Sequence, residues 1–133
     1  MALSPDFVGR EYRSASPYQI TAEEVRAFNL AIGTTTLDVV PPTFGIKISL
    51  AQAERVIRDP ELGLDFSRLV HGDQKFTYTG GLQIGDEVDT TTFIESIKSV
   101  AGNDIVVTRS ELNVAGVNAL TSWSTLVIRG ESA

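Results

Sequence analysis

The chain has 133 residues, 42% of them apolar and 21% charged, a balance that suits one folded domain over residues 1–133 and excludes a disordered composition. Seventeen acidic against 11 basic residues leave a formal net charge of −6, so a nucleic-acid backbone would be repelled and nucleic-acid binding is excluded as a main role. There is no cysteine, which removes disulfides, thiolate chemistry and Cys-ligated metals.

Neither a basic-then-apolar leader nor an apolar stretch long enough to span a bilayer is found, and a cytoplasmic protein is expected. Residues 1–20 read as an extended lead-in broken by Pro5 and Pro17, with Tyr12, Tyr18 and Ile20 as its buried anchors. Thr21-Ala22-Glu23-Glu24 is a capping box, Thr21 serving as N-cap and Glu24 reaching back to it. The helix it opens carries Val25, Phe28, Leu30, Ala31 and Ile32, and Gly33 is a natural stop.

Thr34-Thr35-Thr36 is a β-branched polar run and reads as a loop. Pro41-Pro42 then forces an extended entry into a second helix over residues 43–59, with Pro60 beyond its end. Lys47, Glu54, Arg55 and Arg58 share one stripe, while Phe44, Ile46, Ile48, Leu50, Ala53, Val56 and Ile57 cover the rest. A helix apolar over so much of its circumference is expected to be buried on several sides.

From residue 74 the chain changes character. Residues 74–79, 86–100, 104–115 and 118–129 are rich in Val, Ile, Thr, Phe and Trp, separated by Gly80-Gly81, Gly85-Asp86, Gly102-Asn103 and Gly116. Links this short make consecutive strands antiparallel. Long antiparallel strands with one buried helix predict an α+β fold, a curled sheet wrapped around that helix.

The run Val70-His71-Gly72-Asp73-Gln74-Lys75-Phe76, followed by Gly80-Gly81-Leu82-Gln83-Ile84-Gly85-Asp86-Glu87-Val88, resembles the H-G-x-Q strand and P-L-x-x-G-D-x-V turn of the MaoC-like dehydratase superfamily, whose fold is the hot-dog. The chain is most similar to actinobacterial short MaoC-type proteins, including subunits of the (3R)-hydroxyacyl-carrier-protein dehydratase of mycolic-acid elongation. Phe7-Val8-Gly9-Arg10, Pro41-Pro42-Thr43-Phe44, Gly63-Leu64-Asp65-Phe66, the run over 99–104 and Thr121-Ser122-Trp123 support the likeness along nearly the whole chain. The resemblance implies a homo- or heterodimer whose two sheets join, with an acyl-thioester tunnel near the subunit interface. It further implies dehydration of a (3R)-3-hydroxyacyl thioester of coenzyme A or a carrier protein, or the reverse hydration, with no metal or redox cofactor and no membrane partner.

Removing water between C2 and C3 needs a base, an acid, and donors at the thioester oxygen. Active relatives place an aspartate and a histidine in a G-D-x-N-P-x-H segment after the first helix, followed by an overhanging stretch across the acyl chain. Here the corresponding residues 33–41 are fewer, lack histidine, and hold Asp38 as their one carboxylate. His71, the chain's single histidine, could pair with Asp73 if both face one side of a strand; otherwise it supports the strand's start, beside a Gly72 that permits a turn or close packing. The catalytic candidates are therefore Asp38, His71 and Asp73.

Gly45, at the amino end of the second helix, could offer its N–H to a thioester oxygen or could serve helix entry alone. Phe44 and Ile48 could line an acyl tunnel or pack the core, and Trp123 could touch an acyl chain or pack in the sheet or an interface. Arg10, Arg13, Lys75 and Lys98 could meet phosphates of a coenzyme A or carrier-protein arm, or be ordinary surface cations. The expectation is a non-catalytic, acyl-binding subunit completed by a second chain with the Asp/His pair. The alternatives are a self-sufficient homodimeric hydratase, a non-enzymatic acyl-binding or interaction protein, and a hot-dog thioesterase. Whether the chain is itself an enzyme stays open at this point.

Overall fold

The computed structural model describes residues 3–130. Six strands, β1 (Glu11–Arg13), β2 (Tyr18–Gln19), β3 (Leu69–Tyr78), β4 (Glu87–Val100), β5 (Asn103–Val114) and β6 (Val117–Ile128), form one antiparallel sheet. Its order is β1-β4-β5-β6-β3, with β2 also on β4. The β4–β5 and β5–β6 hairpins close on Ala101-Gly102 and Ala115-Gly116, all four residues at positive φ. That geometry follows the right-handed twist of the strands, and a glycine at the second position makes it accessible.

Two helices complete the fold, α1 (Ala22–Ile32) and α2 (Gly45–Ile57). The Thr21 side chain accepts from Glu24 N–H at 3.2 Å, as the capping box requires, and Gly33 closes α1 in the left-handed conformation. The Glu24 carboxylate does not return to the cap. It accepts from the Tyr18 hydroxyl instead, tying the lead-in to α1. The lead-in itself is two short strands on β4, anchored by the fully buried Ile20.

Helix α2 lies across β4, β5 and β6, as the hot-dog resemblance implies. It is shorter than the residues 43–59 expected, because Thr43 and Phe44 form the turn that enters it and Asp59 is used elsewhere. Its buried positions Gly45, Ile48, Ser49, Ala53 and Val56 recur on one side, and Leu50 is 37% exposed. The expectation of burial on several sides is therefore corrected: the sheet covers a single face, and among the described residues no helix or strand packs over the back of α2.

The core beneath α2 is in two parts. Ile20, Val25, Phe44, Ile48, Val88, Leu112 and Leu120 pack at the amino end of the helix; Val56, Leu62, Ile94, Val106, Leu126 and Ile128 pack at its other end. Between them the inward positions of the sheet are hydroxyls: Thr90, Thr92, Thr108, Ser110, Ser122 and Ser124, all buried. Small side chains there let the helix approach the sheet, and hydrogen bonds such as Thr92–Ser110 at 2.7 Å offset the desolvation of most of them, the Thr90 hydroxyl being left unpaired.

The far end of α2 is latched to β1. The Asp59 carboxylate accepts from the Tyr12 hydroxyl at 2.7 Å, Arg10 Nη1 at 2.9 Å and Glu61 N–H at 3.0 Å, and these donors, Tyr12 foremost, hold it below the usual carboxylate range against the opposing effect of burial. Burial and then the Asp59 bond push the Tyr12 hydroxyl up to about 12. A depressed folded-state pKa means the latch contributes fully above the ordinary value of 3.8 and fades as pH falls through the folded value. Asp59→Asn is expected to cost roughly 1.5–3 kcal/mol at neutral pH. Denaturant unfolding at pH 7 and pH 3 should show that difference shrinking on acidification; an equal difference at both would count against the latch.

Candidate functional site

A cleft of about 270 Å³ opens where the chain enters α2, lined by Val40, Pro41, Pro42, Gly45, Tyr78, Gly81, Leu82 and Leu120. Its walls are apolar and stiffened by two prolines. The Tyr78 hydroxyl donates to the Pro42 carbonyl and so ties the end of β3 to the helix entry; burial raises that hydroxyl's pKa, so it stays protonated as a donor. The entry turn takes up the amides of Phe44, Ile46 and Lys47 on the carbonyls of Pro41, Thr43 and Phe44, at 3.0–3.1 Å. Gly45, between them, has an N–H that this turn does not engage. A Cβ on Gly45 would overlap the Cδ2 methyl of Leu120, so any side chain at this position requires Leu120 to move.

Behind the cleft a chain of buried and half-buried hydrogen bonds links β3, β6 and α2. The Ser124 hydroxyl donates to Gln74 Oε1 at 2.7 Å, Gln74 Nε2 donates to the Ser122 hydroxyl at 2.6 Å, and Ser122 donates to the Ser49 hydroxyl on α2 at 3.1 Å. It joins the edge strand β3 to the first turns of the helix.

Of the substrate-contact candidates, Gly45 lines the cleft, while Phe44 and Ile48, 0% and 3% exposed, pack directly beside it in the apolar cluster. Trp123 does not join them. Ser122 and Ser124 point towards α2, so Trp123 points away from it, on the outer face of the sheet. There Lys75 Nζ lies 4.7 Å over its ring and its Nε1 donates to Glu95 at 3.3 Å, beside an Arg109 that stacks on Phe93.

The catalytic candidates are not assembled. Asn29, buried on α1, donates to the carbonyls of Leu37 and Val39 at 3.0 Å each, leaving Asp38 between them 77% exposed and paired with Arg26. His71 and Asp73 are not on one side of β3. A bulge between them, with Gly72 as the extra residue, sets His71 opposite Leu126 and Asp73 opposite Thr125, on opposite faces. The His71 ring meets the Asp73 backbone carbonyl at 2.9 Å, not its carboxylate. From Leu126 to Leu120 along β6 is roughly 20 Å, which keeps His71 well away from the mouth of α2. Of the possible phosphate contacts, Arg10 is engaged by Asp59 and Glu61 and Arg13 by Glu11.

Tyr78, Leu82, Leu120 and Asn29 shape this region and were not singled out from the sequence. Period-two alternation from Gln74 through Phe76 does place Tyr78 on the helix-facing side, and Asn29 falls four residues after Val25 on the buried stripe of α1. For Leu120 no local signal exists. Among the described residues no cluster of His, Asp and Glu could hold a metal ion, and no helix is long and apolar enough to cross a membrane.

Comparisons with known proteins bear on the family and the fold. A family model described as FAS1-like, dehydratase domain region, matches residues 6–121. A UPF0336 protein of Streptomyces avermitilis is 43% identical over 145 positions, covering 97% of each chain. Another from Thermobifida fusca is 42% identical over 148 positions, covering 99% of this chain and 97% of its own. Because 148 aligned positions exceed the chain's 133 residues, that relative carries at least 15 internal residues for which this chain has no counterpart. Among solved structures, a chain of the HadBC (3R-hydroxyacyl-ACP dehydratase) complex of Mycobacterium tuberculosis superposes with a TM-score of 0.83 at 23% identity, covering 94% of this chain and 99% of that one. At that identity the likeness bears on the fold alone.

Proposed function

The chain belongs to the FAS1-like dehydratase family, and from that membership we propose that it acts, as one domain, as the non-catalytic acyl-binding subunit of a (3R)-hydroxyacyl-thioester dehydratase in fatty-acid metabolism. The observation that carries this reading is the chemistry of the cleft. Its walls are an apolar trough with Gly45 at the helix entry, and no carboxylate or imidazole lines it. Such a site can bind a thioester, whereas moving protons at C2 and C3 requires groups brought by another chain.

The segment between α1 and α2 supports the same view. Family members of the active type carry their Asp/His pair and overhang there, and here Asn29 holds a short strap with Asp38 turned outward. We assign to this strap the internal stretch that the Thermobifida relative has and this chain lacks. The seat for the catalytic chain is β3, which pairs with β6 on one side and leaves its other edge free among the described residues. A partner strand there would bring a second sheet alongside Tyr78 and the cleft.

The purified chain alone should not hydrate crotonyl-coenzyme A, and His71→Ala should leave folding and acyl binding unchanged, as read by circular dichroism and calorimetry. Addition of a relative with an intact Asp/His segment should restore turnover within the usual enzymic range, on the order of 1–10³ s⁻¹. Turnover at such rates by the chain alone, abolished in His71→Ala, would replace this reading with that of a self-sufficient hydratase.

A further inference from the structure

We infer that the cleft at the mouth of α2 accepts a short acyl chain and that Leu120 is the stop that limits its length. This rests on the acyl-binding reading above and names the substrate class of the same site. The cleft measures about 270 Å³. A dry cavity of about 150 Å³ holds a six-carbon benzene molecule, so there is room for a thioester carbonyl and a chain of roughly four to eight carbons.

The inner end is closed twice. Leu120 is 1% exposed, its Cδ2 methyl fills the space a Cβ on Gly45 would take, and Leu112 packs in the same cluster. The next inward-facing residue of β6 is Ser122, whose hydroxyl is 3.1 Å from that of Ser49 on α2. Ser122 also receives the Gln74 amide, and Gln74 the Ser124 hydroxyl. A longer chain pushed between α2 and the sheet would displace Leu120 and then break this relay, exchanging bonded hydroxyls for buried unpaired ones. The side walls do not yield easily either, since Pro41, Pro42 and the Tyr78–Pro42 bond hold them.

The test is calorimetric titration of the full chain with butyryl-, hexanoyl- and dodecanoyl-coenzyme A, each below its micellar concentration, with free coenzyme A as the blank. The two short thioesters should bind at least about tenfold more tightly than the dodecanoyl one. Leu120→Ala should erase most of that preference, and Leu120→Val, a smaller cut checked by thermal melting, should move it part of the way. Dodecanoyl binding as tight as butyryl binding in the unaltered chain, or an unchanged preference in folded Leu120→Val, would overturn the stop and leave acyl binding intact. Failure of every acyl thioester to bind better than free coenzyme A would overturn the acyl-binding reading itself, and this inference with it.

Discussion

Replacing Phe44 by alanine is expected to lower the stability of the folded chain by about 3–5 kcal/mol, a large part of what a domain of this size possesses. Phe44 is fully buried and immediately precedes α2. Its ring meets Phe28 of α1 edge-on, 5.3 Å between centroids at 68°, and it shares a cluster with Ile20, Val25, Val88, Leu112 and Leu120. Truncation removes the transfer energy of a large side chain and leaves a void bounded by two helices and the sheet. The lost ring contact accounts for about 0.5–1.5 kcal/mol of the total. Helix α1 depends on this spot, because only Val25 and Asn29 of its residues are fully buried. Equilibrium unfolding in urea measures the effect, with Phe66→Ala as the control: Phe66 is 57% exposed beneath Arg58 and should cost well under 1 kcal/mol. Equal losses in the two variants would contradict the packing described.

Gly45→Ala is expected to lose acyl binding by on the order of tenfold or more, with a stability loss of about 1–3 kcal/mol. Two effects compete. Alanine is the better helix former, by about 0.8–1.0 kcal/mol in a helix interior and less in a first turn. Against this, the added methyl overlaps the Cδ2 methyl of Leu120, a residue only 1% exposed and packed in the apolar cluster, which must move aside. Because Leu120 lines the cleft, its displacement alters the space in which a ligand would lie. Overpacking therefore wins over propensity, and the binding loss exceeds the stability loss in relative terms. Calorimetry with hexanoyl-coenzyme A and thermal melting separate the two; a variant more stable than the parent, with affinity unchanged, would show that Gly45 is free space.

The elements of the fold are legible because each has a local cause. Thr21 and Gly33 bracket α1 through a side-chain acceptor and a left-handed stop, and Ala101-Gly102 and Ala115-Gly116 mark both long hairpins. The candidate site was legible only in part. Gly45, Phe44 and Ile48 could be located from Pro41-Pro42 and the helix that follows, since a helix entry is a local event. His71 and Asp73 do not share a side because the two-residue alternation of a strand does not carry across Gly72, where the strand bulges and the faces exchange. In the run Thr121-Ser122-Trp123 no local feature says which residue points inward. The register with β5 decides that, and it puts Ser122 inward and Trp123 outward.

By itself the sequence determined the class of fold, the order of its elements and the lack of a histidine between the two helices, because composition, caps, turns and residue identity are properties of short stretches. Only the tertiary structure decided which face of α2 is covered, that hydroxyls divide the core, and that Leu120 closes the cleft against Gly45. These follow from the depth at which a helix settles on a sheet. That depth is set by the joint volumes of side chains up to 75 residues apart, such as Gly45 and Leu120, and no local pattern encodes such a sum.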